Sequence, residues 1–91
     1  MVYTLCKYPD GTEVVFSDIR KNENGEECIR ITFERPMDYG FDTIVFELPS
    51  YEVVLEDGHF TEKEKTEFKE IVERGAAFFF KYARQGGFKL A

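Results

Sequence analysis

The chain has 91 residues, of which 43% are hydrophobic and 33% charged, and its net charge is −6. This composition supports one hydrophobic core and excludes the low hydrophobicity of disordered chains, and the length predicts a single domain spanning residues 1–91. No apolar run approaches the roughly 18 residues of a membrane span and no secretion signal opens the sequence, so we expect a cytoplasmic protein that does not associate with membranes.

The charge is unevenly distributed along the chain. Residues 1–68 carry a net charge of −9, whereas residues 69–91 carry +3. An acidic body repels phosphate backbones, and cations near the end of a helix are explained by the negative end of its dipole. We therefore expect no direct binding of nucleic acid.

Three strands are predicted in the first part of the chain, at residues 2–8, 12–19 and 28–34. The first connection contains "PDG", in which Pro9 suits the second position of a type I turn and Gly11 a left-handed residue after it. The second connection contains "NENG", whose Asn24-Gly25 pair favours a tight hairpin turn. Antiparallel hairpins are the expected result.

Two further strands are predicted at residues 43–48 and 51–56. In the second of them, alternation places Tyr51, Val53 and Leu55 on one side. Proline cannot donate to a strand ladder, so "PS" at Pro49 is either a turn between two strands or an edge or bulge of one long bent strand. The sequence leaves both alternatives open.

A helix is predicted over residues 61–85. "TEKE" is a capping box in which the Thr61 hydroxyl accepts from the Glu64 amide and the Glu64 carboxylate accepts from the Thr61 amide. Gly86-Gly87 supplies the left-handed conformation that closes a helix. The sequence therefore predicts an α+β fold: an antiparallel β-meander of four to five strands, followed by one long C-terminal helix packed on one face of the sheet.

Three consecutive phenylalanines lie inside the predicted helix. Successive side chains are rotated by about 100°, so the three cannot all enter one core. The helical wheel places Phe79 in the core, Phe78 half-buried at its edge, and Phe80 on the opposite flank.

The flank formed by Phe78 and Phe80 has two explanations. In the first, the sheet curls or the tail of residues 88–91 folds back, and Phe80 is covered. In the second, the flank is the interface of a homodimer, because symmetric dimers are common and favour aromatic residues. The interface candidates are Phe78, Phe80 and Arg84, and an exposed sheet edge offers a second route to a dimer by strand pairing.

Residues 34–43, "ERPMDYGFDT", are predicted to form a loop of about eight residues, longer than a minimal hairpin needs. Its binding candidates are Arg35, Met37, Tyr39 and Phe41, since arginine, methionine and tyrosine are favoured at binding surfaces. The alternative is that Tyr39 and Phe41 plug the end of the sheet.

Catalytic and metal-binding patterns are missing from the sequence. His59 is the only histidine and has no nucleophile at motif spacing, so we expect a structural or surface role for it and no enzymatic activity. There is no zinc, calcium or phosphate-binding motif, so we expect no cofactor and no metal. Cys6 and Cys28 match no disulfide framework and are expected to be reduced, buried thiols.

The segment "IVFELPSYEVVLEDGHFTEKEKTEF" resembles part of the HicB-type antitoxins, in which a strand, a proline, an extended stretch and a glycine-containing turn lead into a helix. The glycine expected soon after the proline is Tyr51 or Glu52 here, and the expected alanine-rich start of the helix is "KEKTEF". The resemblance implies a small acidic protein that masks a basic partner.

The sequence as a whole predicts a small binding or interaction domain that self-associates as a homodimer. The alternative is an antitoxin-like or inhibitor protein whose acidic face masks a basic protein partner.

Overall fold

The computed structural model describes residues 2–86. Within them, one antiparallel sheet is followed by one helix, which confirms the predicted α+β fold. The elements are β1 Val2–Lys7, β2 Glu13–Ser17, β3 Arg20–Lys21, β4 Glu27–Met37, β5 Gly40–Leu48, β6 Glu52–Asp57 and α1 Glu62–Arg84. The strand order is β1-β2-β4-β5-β6, with the short β3 paired to the start of β4.

The segment predicted as a loop at residues 34–43 is a tight hairpin, so that prediction is wrong. β4 runs to Met37, β5 begins at Gly40, and only two residues connect them. Pro36 is tolerated inside β4 because β2 pairs with β4 only as far as Glu34, which leaves this end of β4 with a single neighbour.

The connection between β5 and β6 is a turn, which decides between the two alternatives for Pro49. The Leu48-Pro49 peptide bond is cis, and Tyr51 adopts a left-handed conformation with φ 64°. A register shift in the β5–β6 ladder places Val53 opposite Phe46 and Leu55 opposite Val45. Phe46 and Val45 are adjacent in β5 and face opposite sides, so the prediction that Val53 and Leu55 share a side is wrong.

Helix α1 covers one face of the sheet, and the core lies between them. The Phe33 and Phe68 rings stack at 4.2 Å between centroids, and Phe16 meets Phe79 edge to face at 5.5 Å. The helix begins with the predicted capping box and is followed by Gly86 at φ +79°. Buried side chains of this core are Val14, Phe16, Ile29, Ile31, Phe33, Ile44, Phe46, Leu48, Phe60, Phe68, Val72, Phe79 and Ala83.

The three phenylalanines of the helix have three different environments. Phe79 is buried as predicted, and Phe78 is 37% exposed. Phe80 is half-buried and packs against the core, which agrees with the first explanation of the apolar flank. The tail of residues 88–91, which that explanation also invoked, lies outside the described residues.

The two cysteines are both free thiols, but only one is in the interior. Cys28 is buried, whereas Cys6 is exposed on the edge strand β1. The prediction of two buried thiols is therefore wrong for Cys6, which lies just after a register shift in the β1–β2 ladder. A local irregularity of this kind breaks the alternation of inward and outward side chains.

Candidate functional site

A buried carboxylate lies where the β4–β5 hairpin meets the entry to helix α1. Asp42 is fully buried. Its Oδ2 atom accepts hydrogen bonds from Nε and Nη2 of Arg35, at 3.1 and 2.7 Å. Its Oδ1 atom accepts from the Tyr39 hydroxyl and, at 2.8 Å, from the His59 amide. These donors compensate for the loss of water around the buried charge.

The guanidinium of Arg35 extends this cluster to the helix. Its Nη1 atom donates to Glu64 at 2.6 Å and lies 3.5 Å from a carboxylate oxygen of Asp10. Its central carbon lies 4.7 Å from the centroid of the Phe60 ring. Since its side chain is only 16% exposed and contacts three carboxylates, we assign Arg35 a structural role.

The hydrogen bonds of the cluster keep its members charged. Burial acts to raise the pKa of Asp42, but the hydrogen bonds it accepts outweigh burial and hold that pKa below its usual value. The pKa of Glu64 is lowered chiefly by the hydrogen bond from the Thr61 amide, and further by Arg35. The hydrogen bond to Asp42 raises the pKa of Arg35. Asp42, Glu64 and Arg35 are therefore all charged at neutral pH.

Gly58 is the residue that lets the chain pass close to this carboxylate. It has φ +94°, and a Cβ atom added to it would lie 2.4 Å from Oδ1 and 2.7 Å from Cα of Asp42. Any larger residue is therefore excluded both by conformation and by space. The close approach lets the next residue, His59, donate its amide hydrogen bond to Asp42, which joins the β6–α1 connection to the hairpin.

An open cavity of about 580 Å³ lies beside the cluster, at the same end of the sheet. Two exposed aromatic side chains line it, Tyr39 and Phe41, each 55% exposed. The Tyr39 ring meets the His59 ring edge to face at 5.1 Å between centroids. The lining residues are Glu34, Tyr39, Gly40, Phe41, Thr43, Asp57, Gly58 and His59.

Three of the lining residues form one row across the strands. Glu34 of β4 is paired with Thr43 of β5, which is paired with Asp57 of β6. Directly paired residues project from the same face of a sheet, so two carboxylates flank one threonine hydroxyl. This face is the one that helix α1 does not cover.

Strand β6 is the more exposed of the two edges of the sheet, since β1 has two half-buried residues. All six of its residues are exposed, including the aliphatic side chains Val53, Val54 and Leu55 at 47%, 39% and 53%. Acidic residues flank them: Glu52 on one side, and Glu56-Asp57 on the other. The last strand of an open sheet also presents unpaired backbone groups along its outer side.

The helix flank predicted as an interface has contacts within the chain. Phe78 packs against Tyr82 at 4.6 Å between ring centroids. Arg84 donates two hydrogen bonds to Glu27, at 2.6 and 3.1 Å. Arg84 thus ties the end of helix α1 to the start of β4.

Of the four binding candidates in the hairpin, the structure brings two together. Tyr39 and Phe41 line one cavity, Arg35 lies in the buried cluster, and Met37 is 42% exposed but outside the cavity lining. Sequence reasoning missed the row of Glu34, Thr43 and Asp57, and it missed Asp42. The row would have followed from strand register, which single-strand patterns do not reveal.

Comparisons with known proteins give no relative: no family model, no curated protein and no solved structure matches this chain. The resemblance to HicB-type antitoxins therefore stays a prediction from the sequence. Within residues 2–86, no helix has the length and apolar character needed to cross a membrane. The same residues contain no group of three or more His, Cys, Asp or Glu side chains arranged to hold a metal ion.

Proposed function

We propose that this protein is a binding domain that recognises a partner protein by adding an extended, basic segment of that partner to strand β6. The observation that carries this proposal is the exposure of every residue of β6, with three adjacent aliphatic side chains between acidic ones. Strand addition uses the unpaired backbone groups for affinity and the side chains for specificity.

The charge of β6 favours a basic partner over a second copy of the chain. Glu52, Glu56 and Asp57 lie along this strand, and a second β6 would bring three more carboxylates to the same ladder. Like charges close together across strands are destabilising, whereas opposite charges are favourable. Lys65 offsets part of the charge of Glu56, which it contacts at 2.7 Å, but within residues 2–86 neither Glu52 nor Asp57 forms an ion pair.

The opposite edge, β1, is a poorer binding surface. Tyr3 and Leu5 of this strand are half-buried and pack against the core. Lys7 ends the strand with a positive charge, which disfavours a basic segment there. The two edges therefore differ both in apolar exposure and in charge.

A selection from a random peptide display library tests the proposal and does not require the partner to be identified first. The immobilised wild-type protein is expected to select peptides rich in β-branched residues and lysine or arginine. Val53→Lys should weaken their binding by at least about tenfold, because it places a cation on the strand that receives them. The matched control is Val2→Lys on β1, where valine is 62% exposed. Selected peptides that are not basic, or that bind both variants equally, would contradict the proposal.

An antitoxin or inhibitor that masks a basic protein is one setting in which such a domain would act. Its acidic edge would cover a basic surface and accelerate association by electrostatic attraction. The affinity of a selected peptide should then fall steeply as salt is raised, because screening weakens attraction between exposed charges.

Self-association is the second candidate function, favoured by the aromatic pair of Phe78 and Tyr82 near the end of helix α1. Its test is the solution mass at two protein concentrations by size exclusion with light scattering. A homodimer through this flank becomes a monomer on Phe78→Ser and is unchanged by Val53→Lys. A dimer through β6 shows the reverse pattern.

A further inference from the structure

We propose that the cavity at the end of β6 binds one arginine side chain of the partner segment. This inference rests on the proposed function, since it names the side chain that the segment places at this end of the strand. The cavity combines two carboxylates and one hydroxyl on the uncovered face with two exposed aromatic side chains, Phe41 on that face and Tyr39 in the adjoining hairpin turn.

The row of Glu34, Thr43 and Asp57 sets the spacing of the carboxylates. Neighbouring strands lie about 4.8 Å apart, so the Cβ atoms of Glu34 and Asp57 are about 10 Å apart with Thr43 between them. A guanidinium carries its five N–H donors in one plane, pointing outwards in several directions, so it can donate to two carboxylates at once. Within residues 2–86, no group of three or more His, Cys, Asp or Glu side chains is placed to hold a metal ion, so a metal would find only two carboxylates here.

The aromatic side chains select a planar cation. Phe41 lies two residues before Thr43 in β5, on the same face, and Tyr39 lines the same cavity. A guanidinium stacks on an aromatic face and is more weakly hydrated than an ammonium group. Arginine therefore fits the cavity better than lysine.

The charges that line the cavity are not neutralised within the described part of the chain. Across residues 2–86, Glu34 and Asp57 form no ion pair. The nearby Arg35 is engaged on the covered face by Asp42 and Glu64. An added cation would thus meet two carboxylates without displacing a partner.

Strand addition to β6 would place one side chain of the added segment in the cavity. Asp57 is the last residue of β6, and a residue paired with it continues the row on the same face. The long arginine side chain then crosses Asp57 towards Thr43 and Phe41. The segment that pairs with β6 therefore carries arginine at the position opposite Asp57.

The test uses a small probe that does not depend on strand addition, N-acetyl-arginine N-methylamide, followed by NMR of the labelled protein. We expect saturable shifts at the Thr43 and Asp57 amides, and at least about tenfold weaker binding of the uncharged citrulline compound. Asp57→Asn and Phe41→Ala should each weaken the arginine compound by about three- to tenfold. The matched controls are Glu52→Gln, at the other end of β6, and Met37→Ala, in the same hairpin but outside the cavity.

Equal binding of the arginine and citrulline compounds would overturn the inference. So would control variants that lose as much affinity for the arginine compound as Asp57→Asn and Phe41→Ala do. The Val53→Lys variant separates this result from failure of the proposed function. Val53 lies opposite Phe46, on the face away from the cavity, so this variant should lose peptide binding and retain the arginine compound. If library peptides still bind β6 but the arginine compound does not bind, the arginine site in the cavity is contradicted and the proposed function is not.

Discussion

Arg35 and Asp42 face each other across the β4–β5 hairpin, and two hydrogen bonds join them at one carboxylate oxygen, at 3.1 and 2.7 Å. The same guanidinium donates to Glu64 in the first turn of helix α1, at 2.6 Å. One cation thus fixes the hairpin, the helix start and the wall of the cavity relative to one another.

Replacement of Arg35 by methionine should be strongly destabilising. It leaves the fully buried carboxylate of Asp42 without its cation, a change that typically costs about 3–5 kcal/mol. Urea unfolding measures the loss. The matched control is Arg30→Met, which breaks the exposed contact with Glu47 at 3.5 Å and should cost less than about 1 kcal/mol. Similar losses of unfolding free energy in the two variants would show that the buried pair stabilises the fold no more than the exposed pair does.

The free energy of unfolding should fall at acid pH. The pKa values of Asp42 and Glu64 are lowered in the folded protein, so their contribution is fully present above the ordinary values of about 3.9 and 4.3. It is lost as the pH falls through the lower values of the folded state. Urea midpoints between about pH 7 and about pH 3 test this, and Asp42→Asn should show a shallower dependence. An unchanged slope in that variant would exclude Asp42 as a source of the effect.

Gly58→Ala should be more destabilising than Gly25→Ala. Both glycines have positive φ, at +94° and +77°, so both variants carry the left-handed penalty of about 1–2 kcal/mol. Only at Gly58 does the new Cβ also collide with Asp42, whereas nothing lies within 4 Å at Gly25. Thermal unfolding of the two variants measures the difference. Equal melting temperatures would mean that the β6–α1 connection can move away from Asp42 with little loss of stability.

Removal of the helix cap should cost about 1 kcal/mol. The Thr61 hydroxyl accepts a hydrogen bond from the Glu64 amide at 3.1 Å, and Thr61→Ala leaves that amide without its acceptor. Thr66→Ala is the control, because this exposed threonine lies within the helix and alanine has the higher helix propensity. Urea unfolding should therefore show a loss for the first variant and none for the second.

Local patterns revealed the strands and the helix, because alternation and the capping box need only neighbouring residues. The hairpin at residues 34–43 was missed because Arg35 and Asp42 occupy inward positions that normally hold apolar side chains, so the apolar alternation breaks at both. Register brings each charge opposite the other, and residues distant in the chain, His59 and Glu64, complete their hydrogen bonds. This compensation depends on how two strands pair, so the sequence of either strand alone does not reveal it.

The exposure of β6 was equally hidden from the sequence. Alternation predicts only which of its side chains share a side, whereas the place where helix α1 crosses the sheet depends on packing between elements far apart in the chain. The register shift at Val54 also separates Val53 from Leu55, and a bulge of this kind has no reliable sequence signal. The candidate binding edge therefore emerges only from the folded sheet.

The most direct test of the account is amide hydrogen exchange of the protein with and without the strongest basic peptide from the display selection. Strand addition predicts slower exchange at the outward-facing amides of β6 when the peptide is bound, with the amides of β1 unchanged. Slower exchange in β1 or helix α1, with none in β6, would contradict the assignment of β6 as the binding edge.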